Sequence, residues 1–383
     1  MAADQDLKAG KDGTYYVPFP LLALASDCKN TFVCAGGGGS TCTKEKPNLV
    51  HALVYDEATK KLSTIAALNT DKSLVYHVNY SPSLGLWLVS ATSSCKMLSL
   101  DTEQNTLTQL CEFETETEGK ERDRIQNFAK ASPDGSVIVT GGSDGLLKLW
   151  KVSAAGQAPE FLQVIGKKFK ELMDCDFSQD GKYLAMTEAG GSCRLWEVNK
   201  NFNSDGLEMK RTWKAGPKDI VIVKRVRFFT RQDSTTALLV GANILRGQCI
   251  IGEFSLDGTL QKQINVGDTS PMKYLNVDPS GLRFAVGLAS GAKAVFSTNL
   301  KRLAKTKELH SLPTESVAFL GDGTVVSGAG DNSIHFLDIR GGGGSSGGIL
   351  YFLLCVLVIL SIVAMMARIG VKGAQLGQGS GEL

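Results

Sequence analysis

The stretch Ser132-Pro133-Asp134-Gly135-Ser136-Val137-Ile138-Val139-Thr140-Gly141-Gly142-Ser143-Asp144-Gly145-Leu146-Leu147-Lys148-Leu149-Trp150 decides how this chain reads. It opens on a turn signal, Ser-Pro-Asp-Gly, in which each residue type favours reversal. A β run follows, Val137 to Thr140, then a Gly/Asp turn, then a second run that ends on an aromatic, Trp150. The same order recurs along the chain. Turn signals stand at Ser81-Pro82-Ser83-Leu84-Gly85, Ser178-Gln179-Asp180-Gly181, Asp278-Pro279-Ser280-Gly281 and Leu320-Gly321-Asp322-Gly323. They fall roughly 40 to 50 residues apart, with one double interval hiding a degenerate turn near Arg231-Gln232-Asp233-Ser234. Runs closing on an aromatic recur at Cys193-Arg194-Leu195-Trp196 and Ser333-Ile334-His335-Phe336.

A period of this length, with four short strands in each unit, is that of a propeller blade. The expected fold is therefore all-β, a seven-bladed WD-type β-propeller. The blades are expected at 20–68, 74–110, 124–166, 171–214, 220–264, 270–309 and 315–339. The likeness to WD-type repeats is strongest in the third blade. Elsewhere the Gly-His pairs are absent, and Trp-Asp becomes Trp150-Lys151 and Trp196-Glu197. The last blade supplies only three strands. Its fourth is expected from the N-terminal segment 14–19, Thr14-Tyr15-Tyr16-Val17-Pro18-Phe19, which closes the ring and removes exposed edges. Asp144 and Asp331 sit in between-strand turns, where a carboxylate that bonds its own backbone is the ordinary reading.

Composition sets the outer bounds. Of 383 residues, 43% are hydrophobic and 21% charged, enough apolar material for a sizeable core. With 41 basic and 39 acidic residues the net charge is +2, so no electrostatic footprint for nucleic acid exists and none is expected as partner. Nine cysteines, odd in number and without Cys-x-x-Cys, suit a reducing compartment better than a disulfide framework. Four histidines, His51, His77, His310 and His335, read as core or surface residues rather than metal ligands. No nucleophile elbow, His-Glu-x-x-His or paired carboxylate motif occurs, so no catalytic residues and no enzyme are expected.

The ends differ in character. Residues Met1 to Gly13 are polar and charged and hold no signal peptide. Residues 349–367, Ile349 to Ala367, run nineteen positions without a charge. At about 1.5 Å per residue that is a span of about 28 Å, close to a bilayer core. A single C-terminal transmembrane helix is expected there. A Gly/Ser linker, 341–348, precedes it, and a short tail, 368–383, follows. The missing signal places the 1–340 propeller in the cytosol and the tail in the lumen.

One stretch departs from the repeat. Cys34-Ala35 leads into Gly36-Gly37-Gly38-Gly39-Ser40-Thr41-Cys42-Thr43-Lys44-Glu45-Lys46-Pro47-Asn48, between strand signals Asn30 to Cys34 and Leu49 to Tyr55. Glycines are costly to order and carry nothing to pack, so four in a row point away from core packing. The connection lies between the second and third strands of blade one, where blade three has only Ser143-Asp144-Gly145. A hairpin needs roughly two to five residues, so a connection of this length is a candidate binding loop. It is not a phosphate cradle, because no Gly-Lys-[Ser/Thr] follows and a strand, not a helix, comes next. Lys44 and Lys46 are open to two readings, contacts for acidic groups or phosphate oxygens, or solvated surface lysines.

Ala35-Gly36-Gly37-Gly38-Gly39, a short polar spacer and Pro47-Asn48, set in a divergent WD propeller with one membrane anchor, resemble a known family. It is the endoplasmic-reticulum guanine-nucleotide exchange factors for the Sar-type GTPase of the COPII coat, the prolactin regulatory element-binding protein family. The resemblance implies a membrane-anchored exchange factor that releases GDP from a Sar-type small GTPase and so starts vesicle budding at the endoplasmic reticulum. It implies that Gly36 to Asn48 is the GTPase-engaging loop, and that a K⁺ ion shapes that loop. Where the family often has Gly-Ile before Pro-Asn, this chain has Glu45-Lys46. The competing reading is a membrane-anchored propeller scaffold or trafficking facilitator without exchange activity, since propellers are general binding platforms.

Overall fold

The computed structural model describes residues 6–7, 9–10, 13–43, 47–116, 118–120, 123–198, 207–214, 221–231, 233–244, 247–266, 270–321 and 323–340. Short runs of β-branched, aromatic and other apolar residues between turn signals form strands throughout. A single 3-10 turn, Gly39–Thr41, stands between the second and third strands of blade one.

Seven antiparallel sheets form. Blade one holds Leu21–Ser26, Thr31–Gly36, Leu49–Asp56 and Lys61–Asn69; blade two holds Val75–Ser81, Leu86–Ala91, Ser94–Asp101 and Thr106–Glu114. Blade three holds Gln126–Ala131, Val137–Gly142, Leu147–Lys151 and Glu160–Ile165; blade four holds Leu172–Phe177, Tyr183–Glu188, Ser192–Val198 and Leu207–Lys214. Blade five holds Val221–Thr230, Thr236–Ile244, Cys249–Phe254 and Leu260–Asn265; blade six holds Met272–Val277, Arg283–Leu288, Lys293–Ser297 and Arg302–Lys305. Blade seven takes Thr314–Leu320, Thr324–Ala329 and Ser333–Asp338 from the end of the ring and Tyr15–Tyr16 from its start. The first strands of successive blades touch in order, and that of blade seven touches that of blade one, so the ring closes.

The expected closing strand is present, with Tyr15 opposite Ile334 and Tyr16 opposite Ser333. Aromatic rings lock this seam. Phe336 stacks on Tyr55 at 3.8 Å between centroids and meets the edge of Tyr15 at 5.6 Å. Blade one also carries a fifth strand that the sequence reading missed, Asp6–Leu7, paired with Lys61–Asn69 through Leu7 opposite Leu62. The degenerate turn of blade five is real. Ser234 takes φ +66°, the left-handed position that Gly135, Gly181 and Gly281 fill in other blades at +74°, +69° and +68°.

Second strands such as Leu86–Ala91 and Thr324–Ala329 are buried along their whole length, because neighbouring blades cover both faces. Trp150 sits in the core between blades two and three and donates from Nε1 to Thr140 Oγ1 at 2.9 Å. The turn carboxylates behave as ordinary turn residues. Asp144 Oδ1 accepts Leu146 N–H at 2.8 Å, and Asp331 Oδ1 accepts Ser333 N–H at 3.1 Å.

The chain divides into a unit of residues 1–337 and a second of 338–383; in the second, only Asp338, Ile339 and Arg340 are described. The expected linker 341–348, anchor 349–367 and tail 368–383 lie outside the described residues. Among the described residues no helix is long and apolar enough to cross a membrane.

The blade-one connection as candidate functional site

The polyglycine run divides in two. Gly36 is not a loop residue: it ends the second strand, opposite Leu21 on one side and Leu49 on the other. It is fully packed, and a Cβ placed there would lie 2.0 Å from the carbonyl oxygen of Pro20. This corrects the expectation that none of the four glycines serves packing. The backbone of the first strand comes too close to admit any side chain. The connection proper is therefore Gly37 to Asn48.

Gly37 makes the exit. Its φ is +142°, and its N–H donates to Pro20 O at 3.0 Å. A Cβ there would meet Asn48 Oδ1 at 2.3 Å and Pro47 O at 2.5 Å. Gly38 leads into the 3-10 turn Gly39–Thr41, closed by Cys42 N–H on Gly39 O at 3.1 Å and by Thr41 Oγ1 on Gly38 O at 2.9 Å.

Asn48 holds the connection shut. It is completely buried, 0% exposed. Its Oδ1 accepts Gly39 N–H at 2.9 Å, and its Nδ2 donates to Gly39 O at 2.9 Å and to Asp71 O at 2.8 Å. One planar amide thus reads both backbone groups of Gly39 and ties them to the connection between blades one and two. Cys42 Sγ donates to the same Asp71 oxygen at 3.2 Å, and Gly39 lies over Leu74. Asp71 holds φ +52°, with its own N–H on Asn69 Oδ1 at 2.9 Å. Ser40, Thr41 and Thr43 are exposed. Lys44, Glu45 and Lys46 lie outside the described residues.

Sequence reasoning placed Asn48 in the connection but missed its role, and it missed Asp71 and Leu74 altogether. The polar run Asn69-Thr70-Asp71-Lys72-Ser73 was the available signal, a turn cluster next in space to the enlarged connection.

Two oxygens at the base of the connection already have their donors. Gly39 O accepts from Asn48 Nδ2 and Cys42 N–H, and Asp71 O accepts from Asn48 Nδ2 and Cys42 Sγ. A carbonyl has two lone pairs, so both oxygens are spoken for. Behind the loop, His51 stacks edge-on against Phe19 at 5.5 Å, and burial lowers its pKa to about 4, so it is neutral. Among the described residues no group of three or more His, Cys, Asp or Glu side chains could hold a metal ion.

Fold and connection together define a seven-bladed WD-type propeller with one enlarged connection pinned to its ring. Residues 116–151 and 161–197 match the family "WD domain, G-beta repeat". The chain is similar to "Guanine nucleotide-exchange factor SEC12" of Rattus norvegicus, 22% identical over 355 residues, 80% of this chain and 82% of that one. It is also similar to "SEC12-like protein 2" of Arabidopsis thaliana, 24% identical over 272 residues, 69% of this chain and 64% of that one. Among solved structures, Raptor of Chaetomium thermophilum shares the fold with a TM-score of 0.66 at 12% identity, over 88% of this chain and 29% of that one.

Proposed function

We propose that this chain is a membrane-anchored guanine-nucleotide exchange factor for a Sar-type small GTPase, acting at the endoplasmic reticulum with its propeller in the cytosol. The observation that carries the reading is the pinned connection, which exposes Ser40, Thr41 and Thr43 while its base is fixed to the ring by the buried Asn48. Similarity to SEC12 proteins over four-fifths of the chain supports it.

An exchange factor forms and breaks no bonds. It binds the nucleotide-free GTPase more tightly than the GDP form, and that difference is the coupling free energy. A loop does this best when its base cannot yield, since a mobile loop would lose binding energy to ordering. Ser40, Thr41 and Thr43 present the outward face, and residues 349–367 supply the anchor.

The full chain, mixed with a Sar-type GTPase loaded with fluorescent GDP, is expected to speed GDP release about tenfold or more, within the usual range of coupling. Because Gly39 O and Asp71 O each already accept two donors, the rates in K⁺ and in Na⁺ at equal ionic strength are expected to agree within about twofold. No acceleration by a folded chain would leave the anchored scaffold as the reading. A large advantage for K⁺ would mean that oxygens beyond Gly39 and Asp71 gather around the ion.

A further inference from the structure

The first strands of the blades line the axis of the ring, and their residues fall into layers. His77, Asp174, Arg225 and Tyr274 occupy one layer. Each stands just past a register irregularity near the start of its strand, opposite Ser90, Thr187, Gly241 and Gly287 respectively. Gly36 pairs with Leu21 at the equivalent start of the first strand of blade one, so this layer lies toward the end of the ring that bears the 37–48 connection. Tyr274 of blade six stands 3.5 Å from His77 Nε2 of blade two. Those blades are not neighbours, so the pair meets across the axis.

Around this pair the cations outnumber their partners. Arg227 is paired with Asp174, Lys130 with Asp176 at 3.4 Å, and Lys273 with Glu315 at 3.0 Å. Lys224 and Arg225 have no carboxylate within ion-pair distance among the described residues. Glu171, whose carboxylate accepts from Asn127, acts on Lys224 only at longer range. Arg225 donates to Met173 O at 2.9 Å and lies over the Tyr274 ring at 5.0 Å, with Arg227 over the same ring at 5.8 Å. Burial first, then Lys130, Arg225 and Arg227, hold the His77 pKa well below its ordinary value, which keeps the ring neutral. Burial and Arg225 likewise lower Lys224.

Three buried nitrogens in this group have no partner: Arg225 Nε, Arg227 Nε and His77 Nδ1. His77 is 3% exposed and Arg227 4%. In the tautomer in which the Tyr274 hydroxyl donates to Nε2, His77 Nδ1 carries the hydrogen and is a third free donor. Asp174 Oδ1 is the unpartnered acceptor among them. Buried donors are normally satisfied, and an unpaired one costs about 1–3 kcal/mol. Orphaned donors beside unpaired cations call for an anion more than for a second donor.

We propose that the axial channel binds a small multivalent oxyanion of the phosphate class, held by Lys224, Arg225 and Arg227 with a hydrogen bond from His77. The site is separate from the exchange reading and does not depend on it. A free phosphate and a lipid headgroup present the same chemistry, and the vesicle arm of the test tells them apart.

The test is calorimetry and thermal unfolding of the full chain with pyrophosphate at constant ionic strength, with chloride as the control. Pyrophosphate is expected to bind and raise Tm where chloride does not. Arg225→Gln is expected to weaken binding by about ten- to a hundredfold, the worth of a charge-assisted hydrogen bond. Lys224→Gln, at a half-buried position that leaves the core untouched, weakens it by a smaller factor and keeps the test valid should Arg225→Gln fold poorly. No response to pyrophosphate would mean that water fills the channel, and equal affinity in the wild type and both variants would place the anion elsewhere. Either result overturns the proposal, as does binding to phosphatidylcholine vesicles carrying phosphatidylinositol 4-phosphate without a response to pyrophosphate.

Discussion

Blades one and three make the same corner in two ways. In both, the second strand ends on a glycine pressed against the strand before it. A Cβ on Gly36 would lie 2.0 Å from Pro20 O, and one on Gly142 would lie 2.0 Å from Ile125 O. Beyond that point they diverge. Blade three crosses to Leu147 through Ser143, Asp144, Gly145 and Leu146 and fixes the crossing with charge, Asp144 to Lys148, beside Glu116. Blade one takes Gly37 to Asn48 and fixes its longer crossing with one neutral amide. The terminal glycine thus belongs to the ring, whereas Asn48 belongs to the loop. A function lodged in the loop should depend on the second far more than the stability of the ring does.

The largest effect expected is on the shared feature. Gly36→Ala and Gly142→Ala should each destabilise the ring by about 3 kcal/mol or more, since a backbone carbonyl cannot move aside as a side chain can. Chemical denaturation reads this, and an unchanged midpoint in either variant would break the equivalence of the two blades. It follows that replacing Gly36 to Gly39 together tests the fold before it tests the loop.

Next in size is the amide. Asn48→Ala leaves Gly39 N–H without its partner and takes one of two donors from Gly39 O and from Asp71 O, at a cost of about 1–3 kcal/mol. Asn48→Asp should be worse, because it sets a carboxylate oxygen against two carbonyls where Nδ2 donated. Both should slow GDP release severalfold while far-UV circular dichroism stays that of the wild type. Release at the wild-type rate in Asn48→Asp would show that the loop does not need its pin.

The smallest effect concerns the charged corner of blade three. Burial, and then the neighbouring Asp144, raise the Glu116 pKa to about 8. A carboxyl raised in the folded state loses stability as pH climbs from its unfolded value toward the folded one. Glu116→Gln removes that loss. Its Tm should exceed the wild type by about 2 °C or more at pH 8 and by less at pH 5. An equal difference at both values would mean that Glu116 is ionised throughout.

The ring was legible because its signals are local. Each Ser-Pro-Asp-Gly turn carries its own geometry, and even Ser234 betrayed blade five by the company of Asp233, whose side chain accepts Thr235 N–H at 3.0 Å. The loop was legible as a length out of scale with its neighbours. Its construction was not. Nothing near Gly36 in sequence says that Pro20 lies against it. Nothing near Asn48 says that its partner waits at Asp71, in the next blade's approach. Even less can four solitary residues such as His77, Asp174, Arg225 and Tyr274 be seen to share a layer, since each is an unremarked member of its own strand.

The pairing of Tyr15 with Ile334 also sets an order of birth. The first strand of the closing pair leaves the ribosome long before its partner, which follows after the other six blades. Until then Tyr15–Tyr16, the outer strand of blade seven, has nothing to pair with, so the nascent chain carries an unpaired strand until its partner is made. Closure across so much chain is slow to find and is entropically the dearest contact in the molecule. The ring becomes a ring only as its last blade is finished, which makes this seam the natural place for a chaperone to wait and for a truncated product to fail.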